Sequence, residues 1–296
     1  MGGTSRYTGL VYVMPYILGL VLFTAFPFGA SLYLSFTDYD LLSTPNWVGF
    51  ANYERLLTSD RIFERSLSVT LLYVFMTVPL KLTFALFIAV ILNYRLRAIN
   101  LFRTAFYVPS ILGGSVAIAV LWRYIFADTG LVNMLIVALG GDPVNWFGDP
   151  NNALFTITLL RCWQFGSAMV IFLAALQAID NSLYEAASID GAGKWQIFRY
   201  ITLPLLTPVI FFNLIMQTVQ AFQEFNGPYI ITQGGPLRST YLLPLYIYDK
   251  AFKSFDMGYA SAIAWILFLI IMTLTLTLIA FWSSKKWVYY AGDRRD

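Results

Sequence analysis

The sequence predicts an all-α integral membrane protein with about six transmembrane helices, and three observations carry that expectation. Of its 296 residues 58% are hydrophobic and only 12% charged, whereas an ordinary soluble domain has ~25% charged residues. So few charges cannot cover a water-facing surface. The apolar residues also fall in runs long enough to cross a hydrocarbon core of ~30 Å, which takes ~20 residues of helix. Finally, lysine and arginine are shared unequally between alternate connecting segments, as they are in membrane proteins with a fixed orientation.

The first span is read from Val11 to Phe36, within a stretch from Arg6 to Asp38 that holds no charge between its ends. It is too long for a signal-peptide core and is followed by no processing site, so it is expected to be retained. Further spans are expected at Ser68 to Leu92, Phe102 to Phe126, Ala153 to Ile179, Thr207 to Thr232 and Tyr259 to Ser283. With the N-terminus inside, the inner segments 1–7, 93–101, 180–206 and 284–296 hold Arg6, Arg95, Arg97, Lys194, Arg199, Lys285, Lys286, Arg294 and Arg295. The outer segments 37–67, 127–152 and 233–258 are longer in total but hold only Arg55, Arg61, Arg65, Arg238, Lys250 and Lys253. Both termini are therefore expected in the cytoplasm. The outer loops suit short ordered caps, and no separate soluble domain or strong internal repeat is visible.

Several function classes drop out on composition. A net charge of +3 with scattered basic residues does not make a nucleic-acid surface. Without histidine there is no imidazole for acid–base catalysis, metal ligation or a pH switch. Cys162 stands alone, which excludes an internal disulfide and a cysteine metal cluster, and it reads as a small apolar residue within a span.

The segment 180–206 stands apart because it is far longer than its counterpart at 93–101. Ser182 and Glu185 have the spacing of a capping box, which predicts a short helix starting there. Gly191 suits a left-handed helix end, and Asp190 is expected to cap a second helix from about Ala192 to Ile201. Trp195, Phe198 and Ile201 would form its apolar stripe. Pro204 can occupy a first helical turn, so the fifth span is expected to start there. The segment then reads as a helix–turn–helix elbow with small residues, Ala186 and Ala187, on its first arm.

The order Glu185-Ala186-Ala187, three residues, Gly191, nine residues, Ile201, one residue, Leu203-Pro204 resembles the EAA loop of ABC-importer permeases at every fixed position. Seven such positions would coincide in roughly one of several million unrelated chains. Other stretches resemble the sugar-importer branch, the maltose- and glycerol-phosphate-type permeases. These are Asp190-Gly191-Ala192 with Trp195-Gln196, Trp47-Val48-Gly49-Phe50-Ala51-Asn52-Tyr53, and Thr232-Gln233-Gly234-Gly235-Pro236. The likeness is closest to permeases for plant- or algal-polysaccharide fragments. It implies a type I ABC importer permease fold in a bacterial or archaeal cytoplasmic membrane. The first span and outer loop would occupy 1–67, the core 68–283 and a cytoplasmic tail 284–296.

The resemblance also implies partners: a second related permease, an ATPase dimer inside, and an extracytoplasmic solute-binding protein that delivers a sugar. Glu185, Ala186, Ala187, Asp190, Gly191, Leu203 and Pro204 would couple ATPase motion to the spans, with Glu185 offering a charge to a basic partner. No catalysis or cofactor is expected in this chain, because Gly191-Ala192-Gly193-Lys194-Trp195 fails the phosphate-loop pattern at Ser188 and Trp195. ATP and magnesium would be bound by the partner ATPase.

Polar groups within spans usually face the bundle interior or a water-filled path. Asn213, Gln217, Gln220 and Glu224 recur at helical spacing and approach Asn226, while Arg161, Gln164 and Ser167 do so on the fourth span. Trp163, Phe222 and Tyr229 lie nearby as stacking platforms for a sugar. Two readings stay open for these stripes, a substrate path and polar adhesion between helices. Arg161 and Glu224 lie at similar depth and can pair, which would leave neither for substrate. Lys81 and Arg123 bring the spans to three cations against one anion, and two readings stay open for that surplus, a structural role for these two side chains and an acidic sugar such as a uronic-acid oligosaccharide. An ion-coupled secondary transporter would need membrane carboxylates, and only Glu224 qualifies. A membrane enzyme would need a convergent catalytic set, and none is present.

Overall fold

A computed structural model describes residues 8–94 and 98–284. Arg6, Arg95, Arg97, Lys285, Lys286, Arg294 and Arg295, on which part of the charge asymmetry rests, lie outside the described residues. The chain is mostly helical. Among the described residues four helices are long and apolar enough to cross a membrane, and two bent pairs raise the number to six if each pair is one span.

Helices α1 (Thr8–Leu20) and α2 (Phe26–Ser35) are joined by a π-turn at Val21–Ala25. The N–H of Phe26 donates to the carbonyl of Val21, and Pro27 follows at once. A proline inside an α-helix has no N–H and its ring crowds the carbonyl four residues back. One wider turn carries the backbone past the ring without ending the span. Strands β1 (Thr37–Asp38) and β2 (Asn46–Trp47) then pair antiparallel, Thr37 with Trp47 and Asp38 with Asn46. The Nδ2 of Asn52, on α3 (Ala51–Thr58), donates to the carbonyls of Ser35 and Thr37 and closes this small hairpin onto the end of α2.

Helix α4 (Arg61–Leu92) is the most deeply packed of the four unbroken spans, with 44% of its apolar window buried inside the chain. Helices α5 (Ile99–Leu112) and α6 (Val116–Ile125) meet at 103°, so the expected straight span from Phe102 to Phe126 is corrected to a broken one. Gly113 and Gly114 interrupt the helix there, and Ser115 caps α6 by accepting the N–H of Ile118. Helix α7 (Leu131–Ala138) follows. Helices α8 (Pro150–Trp163) and α9 (Gly166–Gln177) replace the expected continuous span from Ala153 to Ile179 and meet at 43°.

After the short helices α10 (Asn181–Ile189) and α11 (Lys194–Ile197), a second π-turn at Phe198–Thr202 leads into α12 (Leu203–Phe222). The fifth span thus runs without a break from Lys194 to Phe222. It neither starts at Pro204 nor reaches Thr232, as the sequence had suggested. The N–H of Leu203 donates to the carbonyl of Phe198 immediately before Pro204, repeating the arrangement before Pro27. At the other end the helix stops at Phe222, and Pro228–Thr232 form a separate π-turn. Helix α13 (Leu243–Tyr248) and the span α14 (Met257–Ser284) complete the chain.

By compactness the chain divides into two units, residues 1–63 with 246–269, and residues 64–245 with 270–296. In the first, Asp60 accepts the N–H groups of Ile62 and Phe63 at the start of α4 and the hydroxyls of Tyr246 and Tyr259. The Arg55 guanidinium lies 4.4 Å over the Tyr259 ring, while Phe28 packs on Trp265 and Phe268. In the second unit α4, α8 and α9 supply most of the core, with Tyr73, Ile157, Met169 and Phe172 wholly buried.

Partial burial raises the Asp60 pKa, but the two tyrosine hydroxyls and the Phe63 and Ile62 amides outweigh it, so Asp60 titrates below the ordinary carboxylate range. A lowered folded pKa adds stability that is present above the unfolded pKa and is lost as pH falls through the folded value. Asp60→Asn is expected to lower stability by about 2 kcal/mol at neutral pH, from the cap and two hydroxyl bonds to a charge. Thermal unfolding in detergent should also show a flatter acid limb than wild type as pH falls through and below the ordinary carboxylate range.

Candidate functional site

The elbow at 180–206 is built from local hydrogen bonds. Asp180 caps α10 by accepting the N–H of Ser182 at 2.9 Å, and that bond is the main reason its carboxyl titrates below the usual range. This corrects the expected Ser182–Glu185 capping box. The carboxylate of Asp180 comes first in the chain and takes the free donor, which places Ser182 inside the helix and leaves Glu185 exposed. Gly191 ends α10 at φ +78°, where a side chain would be strained. The N–H of Ala192 returns to the carbonyl of Ala187 at 2.9 Å.

The second arm is capped by Gly193 and not, as expected, by Asp190, which sits at the C-terminal end of α10. The Gln196 Oε1 accepts the N–H of Gly193 at 2.7 Å. Because Gly191 and Asp190 are used to finish α10, the next helix begins two residues later than the sequence suggested. The Trp195 and Phe198 rings stack at 5.7 Å, so that part of the predicted stripe forms. The Tyr184 hydroxyl lies 3.3 Å from the Thr202 hydroxyl and ties α10 to the π-turn.

Every residue of α10 is exposed except Tyr184 and Ala187, which are half-buried. Ile189 is 86% exposed. Leu203 and Pro204 lie at the base of α12, half-buried.

The polar groups of the fourth and fifth spans converge on one network. Arg161 Nε lies 3.1 Å from Glu224 Oε2, so the expected pair forms. Arg161 also donates to Gln164 Oε1 at 2.8 Å, and Gln164 Nε2 donates to the Gly113 carbonyl at 2.9 Å. The N–H of Gly227 donates to Glu224 Oε1 at 3.0 Å, and Asn226 Nδ2 donates to the Gly114 carbonyl at 3.3 Å. These bonds tie the breaks of α5–α6, α8–α9 and α12 together around a cavity of ≈ 10 Å³, about the room of one water.

Two glycines permit that convergence. A Cβ at Gly113 would stand 2.2 Å from the Gln164 side chain, and one at Gly166 would stand 2.6 Å from the Phe106 carbonyl and 2.8 Å from the Tyr107 Cα. The Ser167 N–H donates to the Ser110 hydroxyl at 3.0 Å across the same approach.

The stripe expected on α12 divides in two. Asn213 and Gln217 are buried within the chain, and both amide atoms of Asn213 find no hydrogen-bond partner among the described residues. Gln220 and Asn226 are exposed, and so is Gln223 between them. Sequence reading missed Gln223, although Gln220, Gln223 and Asn226 recur every three residues. Tyr229 stacks on Phe225 at 5.0 Å and is half-buried. Trp163 packs near Trp122 at 5.9 Å, within the cluster around Ala119, Leu160 and Ile231, whereas Phe222 is wholly buried. Lys81 is only 3% exposed.

The Arg161–Glu224 pair is largely withdrawn from solvent, so a double-mutant cycle with Arg161→Ala and Glu224→Ala should return a coupling of about 2 kcal/mol. Additive single effects would show that the pair contributes nothing. Gly166→Ala should destabilise by ~1–3 kcal/mol, the usual cost of overpacking, as read by thermal unfolding of purified protein.

Residues 61–288 match the family described as binding-protein-dependent transport system inner membrane component. The chain is 50% identical over 289 residues to the probable ABC transporter permease protein YesP of Bacillus subtilis, covering 97% of this chain and 93% of that one. It is 35% identical to the lactose transport system permease protein LacF of Rhizobium radiobacter, covering 94% of each. A chain from the crystal structure of a bacterial ABC transporter involved in the import of the acidic polysaccharide alginate superposes with a TM-score of 0.82. Identity there is 22%, covering 93% of this chain and 96% of that chain.

Proposed function

The chain belongs to the family of binding-protein-dependent transport system inner membrane components, and from that premise we propose that it is one permease subunit of an ATP-driven sugar importer. It forms a translocation path with a second, related permease. An ATPase dimer works on the cytoplasmic side, and a binding protein delivers the sugar on the other. Relatives whose names specify lactose and trehalose/maltose support the sugar class. Both termini are then cytoplasmic, the membrane is a bacterial or archaeal cytoplasmic membrane, and this chain performs no chemistry.

The observation that carries the reading is the exposed elbow. Glu185, Ala186 and Ala187 sit on a nine-residue helix held only at its ends, by Asp180 and Gly191, and tied to the fifth span through Tyr184 and Thr202. Force applied to α10 by a partner passes through that link and the continuous Lys194–Phe222 helix to the polar network at its far end. Small residues at 186 and 187 let a partner approach closely, and Glu185 is free to meet a cation. Asp190, Leu203 and Pro204 set the elbow's end and its junction with the span.

Substrate would pass over the exposed amides Gln220, Gln223 and Asn226, with Tyr229 beside them. Arg161 and Glu224 hold each other and Gln164, so they shape the path and do not carry charge to the substrate. Trp163, Asn213 and Gln217 act from behind it. Lys81 has no hydrogen bond or ion pair among the described residues, and Arg123 is exposed on α6. Basic side chains with no carboxylate beside them among the described residues complement an acidic sugar. Ion-coupled transport is disfavoured because Glu224, the carboxylate such a mechanism would load, is occupied by Arg161 and the Gly227 N–H.

Purification of the tagged chain from its native operon in mild detergent should recover a second permease and an ATPase. Glu185→Lys should lower transport-coupled ATP hydrolysis by tenfold or more, an effect of about 1.4 kcal/mol on coupling. A chain that purifies alone and transports in liposomes without ATP would overturn the proposal. Lys81→Gln is expected to slow uptake of an acidic oligosaccharide more than that of its neutral counterpart, measured with radiolabelled substrates. Equal slowing of both would remove the case for an acidic substrate.

A further inference from the structure

Behind the elbow lies a cavity of ≈ 720 Å³, within the ~300–1,000 Å³ typical of a site for one small molecule. Its walls are apolar: Leu86, Phe87 and Val90 from α4, Leu176 from α9, and Phe198 and Leu203 from the start of the fifth span. Of its polar side chains, Asn93 and Tyr94 follow the end of α4 and Lys194 opens α11, while Thr83 lies within α4 and the Tyr184 and Thr202 hydroxyls face each other at 3.3 Å. Among the described residues no acidic side chain lines the cavity.

Its position follows from the two spans that bound it. Helix α4 ends at Leu92 and the fifth span starts at Lys194, so the polar side of the cavity lies where hydrocarbon gives way to water. Tyr94 and Trp195, 57% and 69% exposed, stand there as interfacial aromatics do. Arg95 and Arg97 follow Tyr94 in the chain. An apolar chamber at the hydrocarbon boundary, with a lysine at its polar side and no carboxylate, complements a molecule with an apolar tail and an anionic head.

We propose that this cavity seats one anionic glycerophospholipid, an acyl chain in the apolar chamber and the phosphate held by the Lys194 ammonium with the Asn93 amide as a second donor. A zwitterionic lipid brings its own ammonium close to Lys194 and is disfavoured. Tyr184 of α10 also lines the chamber, so the seated lipid bridges α4 and the elbow and ties the position of α10 to the charge of the bilayer.

The test uses the protein purified with its associated subunits and reconstituted in phosphatidylcholine vesicles. These carry a trace of phospholipid with a photoactivatable acyl chain and either a phosphatidylglycerol or a phosphatidylcholine headgroup. Mass spectrometry after irradiation locates the label. Residues 83–94 and 194–203 should be labelled about fivefold more by the glycerol probe, the ratio that ~1 kcal/mol per basic residue implies. Lys194→Gln should bring that ratio close to one, Lys194→Arg should retain it, and Leu86→Trp, which fills the chamber, should reduce labelling by both probes. Equal labelling by the two headgroups in wild type, an unchanged ratio in Lys194→Gln, or label no denser than on the exposed face of α14 would each overturn the proposal. If Leu86→Trp does not incorporate, the ratio in wild type and the two Lys194 variants decides the question.

Discussion

Inside the hydrocarbon no water is present to satisfy a stray N–H or carbonyl, and each one left unpaired costs several kcal/mol. This constraint bears hardest on a chain with prolines at 15, 27, 79, 109, 204 and 208, each of which withdraws one helical donor. Before Pro27 and Pro204 the backbone widens into a π-turn and keeps its hydrogen bonds running, so the first and fifth spans continue past rings that would stop an ordinary helix. Where the helices do stop, at Gly113, Gln164 and Phe222, side chains take over. Gln164 supplies the Gly113 carbonyl, Asn226 that of Gly114, and Glu224 accepts the Gly227 N–H. The polar network between the spans is thus first a repair of broken backbone, and its charges are placed by that need.

This changes how the polar stripes are understood. Substrate path and helix adhesion looked like alternatives, but the helix-to-helix bonds come from one set of residues and the exposed amides largely from another. Arg161, Gln164 and Glu224 hold three breaks together. Gln220 and Gln223 face outward from α12, while Asn226 does both, with its amide on Gly114 and its surface open. Asn213 belongs to neither set, since it is buried and neither of its amide atoms is paired among the described residues.

The elbow follows a related logic at the membrane edge. Its first helix is too short to be stable alone and packs on the chain only through Tyr184 and Ala187. Asp180 and Gly191 hold its ends, and the rest of its surface is exposed. The second arm is continuous with a span.

Much of this was legible in the sequence. The six apolar runs, the motif from Glu185 to Pro204, the left-handed Gly191 and the depth match of Arg161 with Glu224 depend on composition, spacing and residue type, which a linear reading contains. The breaks in the third and fourth spans, the helix start at Asp180 and the separation of Gln217 from Gln220 were not legible. Whether a glycine pair bends a helix, which of two neighbouring side chains takes a free amide, and which side of a helix is buried depend on what other segments bring within a few ångströms. The sequence by itself determined that the chain crosses a membrane and where its apolar runs lie, because hydrophobic length sets these. Only the tertiary structure decided where the spans break and which polar groups remain available, because each buried donor and acceptor finds its partner on a different helix.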